Sequence, residues 1–118
     1  MESALDDAIK EAPPAKLSLG IPLYGGRWSR GFTHISATQA LTLAAQQQAL
    51  IRWDEMERSH WFFFDRAGVR ETVHFTDSRS FAERLQMART HGVHSISAWV
   101  LGMEEPAIWK HLPKRVQP

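Results

Sequence analysis

Apolar positions along the chain switch between a helical period and a strand period, and the switches mark the elements. Ala4, Leu5, Ala8 and Ile9 recur at helical spacing. Ser3 is placed to cap that helix, Asp6-Asp7 suit its positive end, and Pro13-Pro14 stop it. Leu17 to Tyr24 reads as a short strand running into a Gly25-Gly26 turn. Pro22 cannot donate a ladder hydrogen bond, so it belongs at a terminal or irregular position. Arg27 to Ile35 shows no period and is expected to be irregular. Ser36 or Thr38 then caps a helix over Gln39 to Leu50, in which Ala40, Leu41, Leu43, Ala44 and Ala45 form a small apolar face.

The middle of the chain is strand-like. Ile51 to Asp54, His60 to Asp65 and Val69 to Phe75 form three runs, the last two flanking an Arg66-Ala67-Gly68 hairpin loop with a glycine available for positive φ. Val69, Glu71, Val73 and Phe75 alternate with Arg70, Thr72, His74 and Thr76, the first set facing mostly inward. Asp77 or Ser78 caps a helix over Phe81 to Thr90, with Phe81, Leu85 and Ala88 on one stripe and Gly92 as its left-handed terminator. The chain re-enters a strand at Val93. Ile96 to Leu101 has the β-branched and aromatic content of an interior strand, and Gly102 with Glu104-Glu105 closes it. A short helix over Ala107 to Leu112 opens after Pro106 and carries Trp109.

Leu17 to Tyr24 and Ser95 to Leu101 are thus joined through a crossover that contains a helix, the arrangement that gives parallel pairing. The expectation is one α/β domain over 1–118, α+β if taken alone, with 36–76 (a helix plus an antiparallel ribbon) inserted in the crossover. Two parallel strands need neighbours on each side, so either a covered edge or self-association through an open edge is expected. Trp99 falls near a strand's carboxyl end, where parallel α/β folds bind ligands. Its ring reads either as core or as a platform for a ligand's apolar face.

Composition narrows the classes. The chain has 118 residues, 43% of them hydrophobic, which suits one globular domain. The net charge of +1 is spread without a basic stripe apart from Lys110 to Arg115, which disfavours nucleic acid as a partner. Cysteine is absent, so disulfides and thiolate metal sites are excluded and the cellular compartment is left open. No apolar run approaches the roughly 20 residues of a membrane span, and residues 1–14 lack the basic start and apolar core of a signal peptide, so the expectation is a soluble chain with no membrane partner. His91 and His94 flank a glycine turn without ligand spacing, and Ser95 and Ser97 have no supporting base motif, so neither a metal nor another cofactor is expected. The rings of Trp61-Phe62-Phe63-Phe64 read mainly as packing under a ribbon rather than as a sugar-stacking patch.

Four blocks carry a family resemblance: LDDAIKEAPPAKLSLG with LSLGIPLYGGRW, then WDEMERSHWFFFDRAGVRETVHFTDSRSF, then VHSISAWVLGMEEPAIW. In that order they resemble the seventh strand, the insertion, and the eighth strand with terminal helix of chitinase-like family-18 glycoside hydrolases, in the bacterial branch that degrades spore cortex and peptidoglycan as N-acetylglucosaminidases. The resemblance runs from Leu5 to Leu112. It implies the last two parallel strands and flanking helices of a (β/α)8 barrel, a fold of roughly 250 residues, acting on β-linked N-acetylglucosamine glycans. In that family a glutamic acid within a DxxDxDxE motif protonates the leaving oxygen, and the substrate's acetamido group is the nucleophile.

That motif is missing from the chain: Asp6-Asp7, Asp54-Glu55 and Glu104-Glu105 do not match it. The family order puts it upstream of Met1, so no catalytic residue is expected here, the chain should be inactive alone, and its partner should be the N-terminal part of the barrel. By resemblance, Trp99 floors the subsite of the scissile sugar and Tyr24 hydrogen-bonds sugar oxygens. Arg27 follows the tyrosine-glycine pair one place later than in many members. Asp54 and Glu55 match an acidic pair at the start of the insertion, where they either face the cleft or cap a solvated strand end. A non-catalytic glycan-binding or assembly module is the alternative.

Overall fold

The computed structural model describes residues 1–112. Helix α1 spans Glu2–Glu11 and buries Leu5. Met1 holds its N-cap position, so the expected cap Ser3 lies inside the first turn. Ala12 then goes extended ahead of the proline pair, and a 3-10 turn over Pro14–Lys16 leads into β1, Ser18–Pro22. Pro22 is the last residue of β1, the terminal position that a missing N–H requires.

The next residues depart from the expectation of an irregular stretch: β2 covers Gly25–Trp28 and β3 covers Phe32–Ile35. They form an antiparallel pair, Gly25 opposite Ile35 and Trp28 opposite Phe32. Only Gly25, Gly26 and Ile35 of these eight residues are buried, so the local sequence carries no alternation to read. Helix α2, Ala37–Gln46, follows a complete capping box: Ser36 Oγ accepts from the Gln39 N–H, and the Gln39 side chain accepts from the Ser36 N–H. Strands β4 (Arg52–Asp54), β5 (Ser59–Arg66) and β6 (Val69–Phe75) complete a five-stranded antiparallel sheet in the order β3-β2-β6-β5-β4. The sheet therefore starts at Gly25, and the 36–76 reading omits two of its strands. The β5–β6 hairpin closes on Ala67 and Gly68 alone, both at positive φ, with Arg66 paired to Val69 inside the ladder.

Helix α3, Ser78–Thr90, is capped by Asp77, whose Oδ1 accepts from the Ser80 N–H and hydroxyl at 3.0 Å. It ends in a Schellman arrangement: Gly92 sits at φ 78°, its N–H bonds Arg89 O, and the Val93 N–H reaches back to Ala88 O. Strand β7, Ser95–Trp99, then pairs parallel to β1, Ser18 opposite Ser95 through Pro22 opposite Trp99. The strand stops at Trp99, two residues short of the expected Leu101, and the closing helix is a 3-10 helix over Pro106–His111. Among the described residues β1 and β7 pair only with each other. The arrangement is that of a partial (β/α)8 barrel carrying an antiparallel insertion.

Two cores hold these parts. Leu5, Leu19, Ile21, Leu23, Phe81, Leu85, Val93 and Ile108 bury one face of the parallel pair beneath α1 and α3. Ala40, Leu43 and Ala44 of α2 cover Phe62, Phe64, Val73 and Phe75 on one face of the five-stranded sheet.

His91 ties the ends of α1 and α3 together. Its Nδ1–H donates to Met87 O at 2.7 Å, and Nε2 lies 2.9 Å from Asp6 Oδ1 and 3.5 Å from Glu2 Oε1. The backbone carbonyl and the two carboxylates hold the imidazole above its ordinary value of 6.5, against an opposing effect of burial. A raised folded-state value means that the link is at full strength below about pH 6.5 and fades as pH climbs through the folded value. Stability should therefore fall modestly on going from mildly acidic to alkaline pH. Urea melts across that range should show the slope in the unaltered chain, and His91→Gln should flatten it.

Candidate functional site

Alternation along β1 and β7 sends Leu19 and Ile21 into the core and leaves the other face open. On the open face stand Ser18, Gly20 and Pro22 beside Ser95, Ser97 and Trp99. The serines bond one another across the pair, Ser18 Oγ to Ser97 Oγ at 3.1 Å and Ser95 Oγ to Ser18 Oγ at 3.2 Å. At the carboxyl ends Trp99 is 69% exposed. Its carbonyl accepts from the Leu23 N–H, which locks the two strand ends together just beyond their last paired residues. The ring, with Gly20, Pro22, Tyr24 and Ser97, borders a concavity of about 390 Å³.

Pro22 and Tyr24 border both this concavity and a second one of about 380 Å³. The second is bordered by Trp28, Phe32 and His74, by the exposed Glu57, and by the buried Ser59 and Arg84. Gly26 makes this shape possible, because a Cβ there would lie 2.5–2.6 Å from the rings of Trp28 and Phe32. The rings meet in a continuous series: Tyr24 edge-on to His34 at 4.5 Å, His34 to Phe32 at 4.9 Å, Phe32 to Trp28 at 4.9 Å, Trp28 to His74 at 5.7 Å. Burial among these rings pushes the His74 imidazole below its ordinary value, with Asp54 and Glu57 opposing, so the ring is neutral at pH 7. Arg84 is almost fully buried, and its guanidinium donates to Glu57 O at 3.0 and 3.3 Å and to Thr76 Oγ1 at 3.1 Å. It anchors the turn before β5 to α3 and thereby fixes the back of the groove.

Of the residues singled out from the sequence, the fold brings Trp99 and Tyr24 together and sends the rest elsewhere. Arg27 donates through Nε and Nη2 to Glu71 at 2.9–3.2 Å. It shares the α2-covered face with Val73, its partner in the register. One inserted residue, Gly26, is sufficient reason, since a one-place shift in a strand moves a side chain to the opposite face. Asp54 turns back on its own chain, Oδ1 accepting from the N–H groups of Met56 and Glu57 at 2.9 and 3.1 Å, and Glu55 is exposed on the same turn. Trp28, Phe32, His74 and Arg84 were not singled out. Trp28 and Phe32 sit in segments whose apolar content does not repeat, and the β2–β3–β6 register is what brings them beside His74.

Chemically the groove offers flat rings, a phenol and strand-end polar groups to an elongated ligand with apolar faces. Glu57 is the carboxylate among the residues bordering it. Among the described residues no cluster of three histidine, aspartate or glutamate side chains is placed to hold a metal ion.

No family model matches the chain. The cortical fragment-lytic enzyme of Bacillus anthracis is 32% identical over 120 residues, 95% of this chain and 28% of the relative. The chain thus spans a little over a quarter of the length of that curated relative. The crystal structure of the Bacillus cereus spore cortex-lytic enzyme SleL superposes with a TM-score of 0.82 at 29% identity, over 93% of this chain and 28% of that one. A chitinase from Chromobacterium violaceum gives a TM-score of 0.84 at 33% identity, over 94% of this chain and 36% of that one. Both matches run through the parallel pair and the antiparallel sheet, since they cover nearly the whole chain. Sequence and fold together make this chain a C-terminal chitinase-like domain, similar to the corresponding part of family-18 glycoside hydrolases and of spore cortex-lytic enzymes.

Proposed function

We propose that the chain forms one side of a glycan-hydrolysing cleft, binding a β-linked N-acetylglucosamine chain through Trp99 and Tyr24 and leaving proton donation to barrel strands outside it. The observation that carries this reading is the exposed Trp99 ring at the carboxyl end of β7, facing the same concavity as Tyr24. A sugar's apolar face against that ring removes both from water, and the tyrosine hydroxyl and strand-end groups supply orientation. Two further observations support it. The relatives are named as lytic enzymes and chitinases, and β1 and β7 lack other strand partners among the described residues. Remaining barrel strands would pair with those edges, and they would bring the acid that the chain's sequence lacks.

Titration of the chain with chitotetraose tests the binding half: the Trp99 indole resonance should shift with a dissociation constant on the order of 1 mM. An unmoved indole signal at tens of millimolar sugar would overturn it. The chain alone should release no product from the same sugar, and adding the upstream barrel portion should create N-acetylglucosaminidase activity. If sugar binds but the assembled barrel stays silent, the non-catalytic module is the better reading.

A further inference from the structure

The ring series that borders the groove does not end at His74. His74 stacks on Trp61 at 5.9 Å and 14°, and Trp61 stacks on Phe63 at 6.1 Å and 27°. The register puts all of them on one face of the five-stranded sheet: Trp28 opposite Thr72, Gly26 opposite His74, His74 opposite Trp61, Thr72 opposite Phe63. That is the face away from α2. Phe62 and Phe64 fill the α2 core, whereas Trp61 and Phe63 belong to neither core.

The far end of the series is cationic. The Arg70 guanidinium sits 4.5 Å over the Phe63 ring, and the Arg52 guanidinium 5.9 Å from both the Trp61 and Phe63 rings. Arg70 gives one bond, Nε to Asp65 Oδ1 at 3.2 Å, and its two Nη groups make no hydrogen bond among the described residues. Arg52 has no carboxylate partner among them and is exposed.

We propose that the Trp61–Phe63–Arg52–Arg70 patch is a distal binding site for a glycan strand that carries carboxylates on its sugar substituents, and that it favours such a strand over neutral chitin-type chains. The proposal rests on the glycan reading of the Trp99–Tyr24 groove and extends it along the sheet. The two parts are continuous through the ring series, and a chain of pyranoses threading the groove is led onto the patch. Rings alone would accept any such polymer. Guanidiniums held over rings, with Nη donors free, add something only for an acceptor that is charged, because a carboxylate takes two parallel N–H bonds and a hydroxyl does not. Two arginines without a lysine run are too few to follow a phosphate backbone.

The test compares two ligands that share a backbone: chitotetraose and an alternating N-acetylglucosamine–N-acetylmuramic acid tetrasaccharide, the latter with a lactyl carboxylate on every second ring. The unaltered chain should bind the acidic sugar about 5-fold more tightly at low salt. Amidating the lactyl groups, raising ionic strength, or substituting R52Q with R70Q should each bring that ratio below about 2. The double variant should lose more affinity for the acidic sugar than for chitotetraose. Equal affinity for the two sugars, or a preference that survives both amidation and the double variant, overturns this proposal and leaves the groove reading standing. Failure of the unaltered chain to bind either sugar overturns both. Tighter binding of a single-stranded oligodeoxythymidylate, or a dimer in sedimentation that Trp61→Ala dissociates, would assign the face to another occupant and overturn it too.

Discussion

Gly25→Ala should lower stability by at least about 3 kcal/mol and the melting temperature by roughly 10 °C or more. Gly25 is where the chain leaves β1 and Tyr24 to enter the antiparallel sheet, and β2 lies between β3 and β6. Its backbone approaches β6 so closely that an added Cβ would collide with His74 O and stand 2.7 Å from Phe75 Cα. Neither atom can swing aside as a side chain could. Relief requires β2 to part from β6, which uncovers Phe75 and breaks the ring series at His74. Gly20→Ala is the internal control, because a Cβ there meets nothing within 4 Å, and its effect should stay within about 0.5 kcal/mol. Thermal melts of the two variants decide the matter, and equal melting temperatures would show that the close approach is not there.

What the sequence revealed and what it hid divide along physical lines. The caps Asp77, Gly92 and Ser36 were legible because caps are local, acting within a few residues of themselves, though Ser36 and Asp77 each stood beside an alternative, and the end of α2 at Gln46, four residues before the expected Leu50, was not. Trp99 was legible as a residue near a strand's carboxyl end, but the strand stops at Trp99 itself and not at Leu101, and the sequence left open whether its ring is core or platform. The run Trp61 to Phe64 divides two and two, as a period of two requires, but which pair is buried depends on α2 arriving from elsewhere in the chain. β2 and β3 were illegible because their pairing is long-range. Their open face is aromatic and polar, their covered face holds an arginine bonded to Glu71, and nothing alternates. Arg84 was hidden in the same way. A helix arginine reads as solvated, and only the turn at Glu57 and the hydroxyl of Thr76 make it a buried anchor.

Trp99→Ala should leave the fold intact and damage function severely. A side chain 69% exposed at a strand tip contributes little to either core, so the melting temperature should stay within about 2 °C. In an enzyme assembled with the remaining barrel, however, loss of the ring proposed to bind the sugar should reduce kcat/KM by about 100-fold. Trp99→Phe keeps a flat apolar plane of smaller area and should retain activity within about 10-fold of the parent. How the loss divides between the two constants tells what the ring does. A platform that merely holds the glycan raises KM and spares kcat; one that holds the scissile sugar in a distorted form lowers kcat, because the contact is then made best in the transition state. The position beside Tyr24, at the strand end where the acid-bearing strands would converge, favours the second outcome. Unchanged kcat/KM in the alanine variant, with a folded protein, would remove Trp99 from the site and with it the glycan reading of the groove.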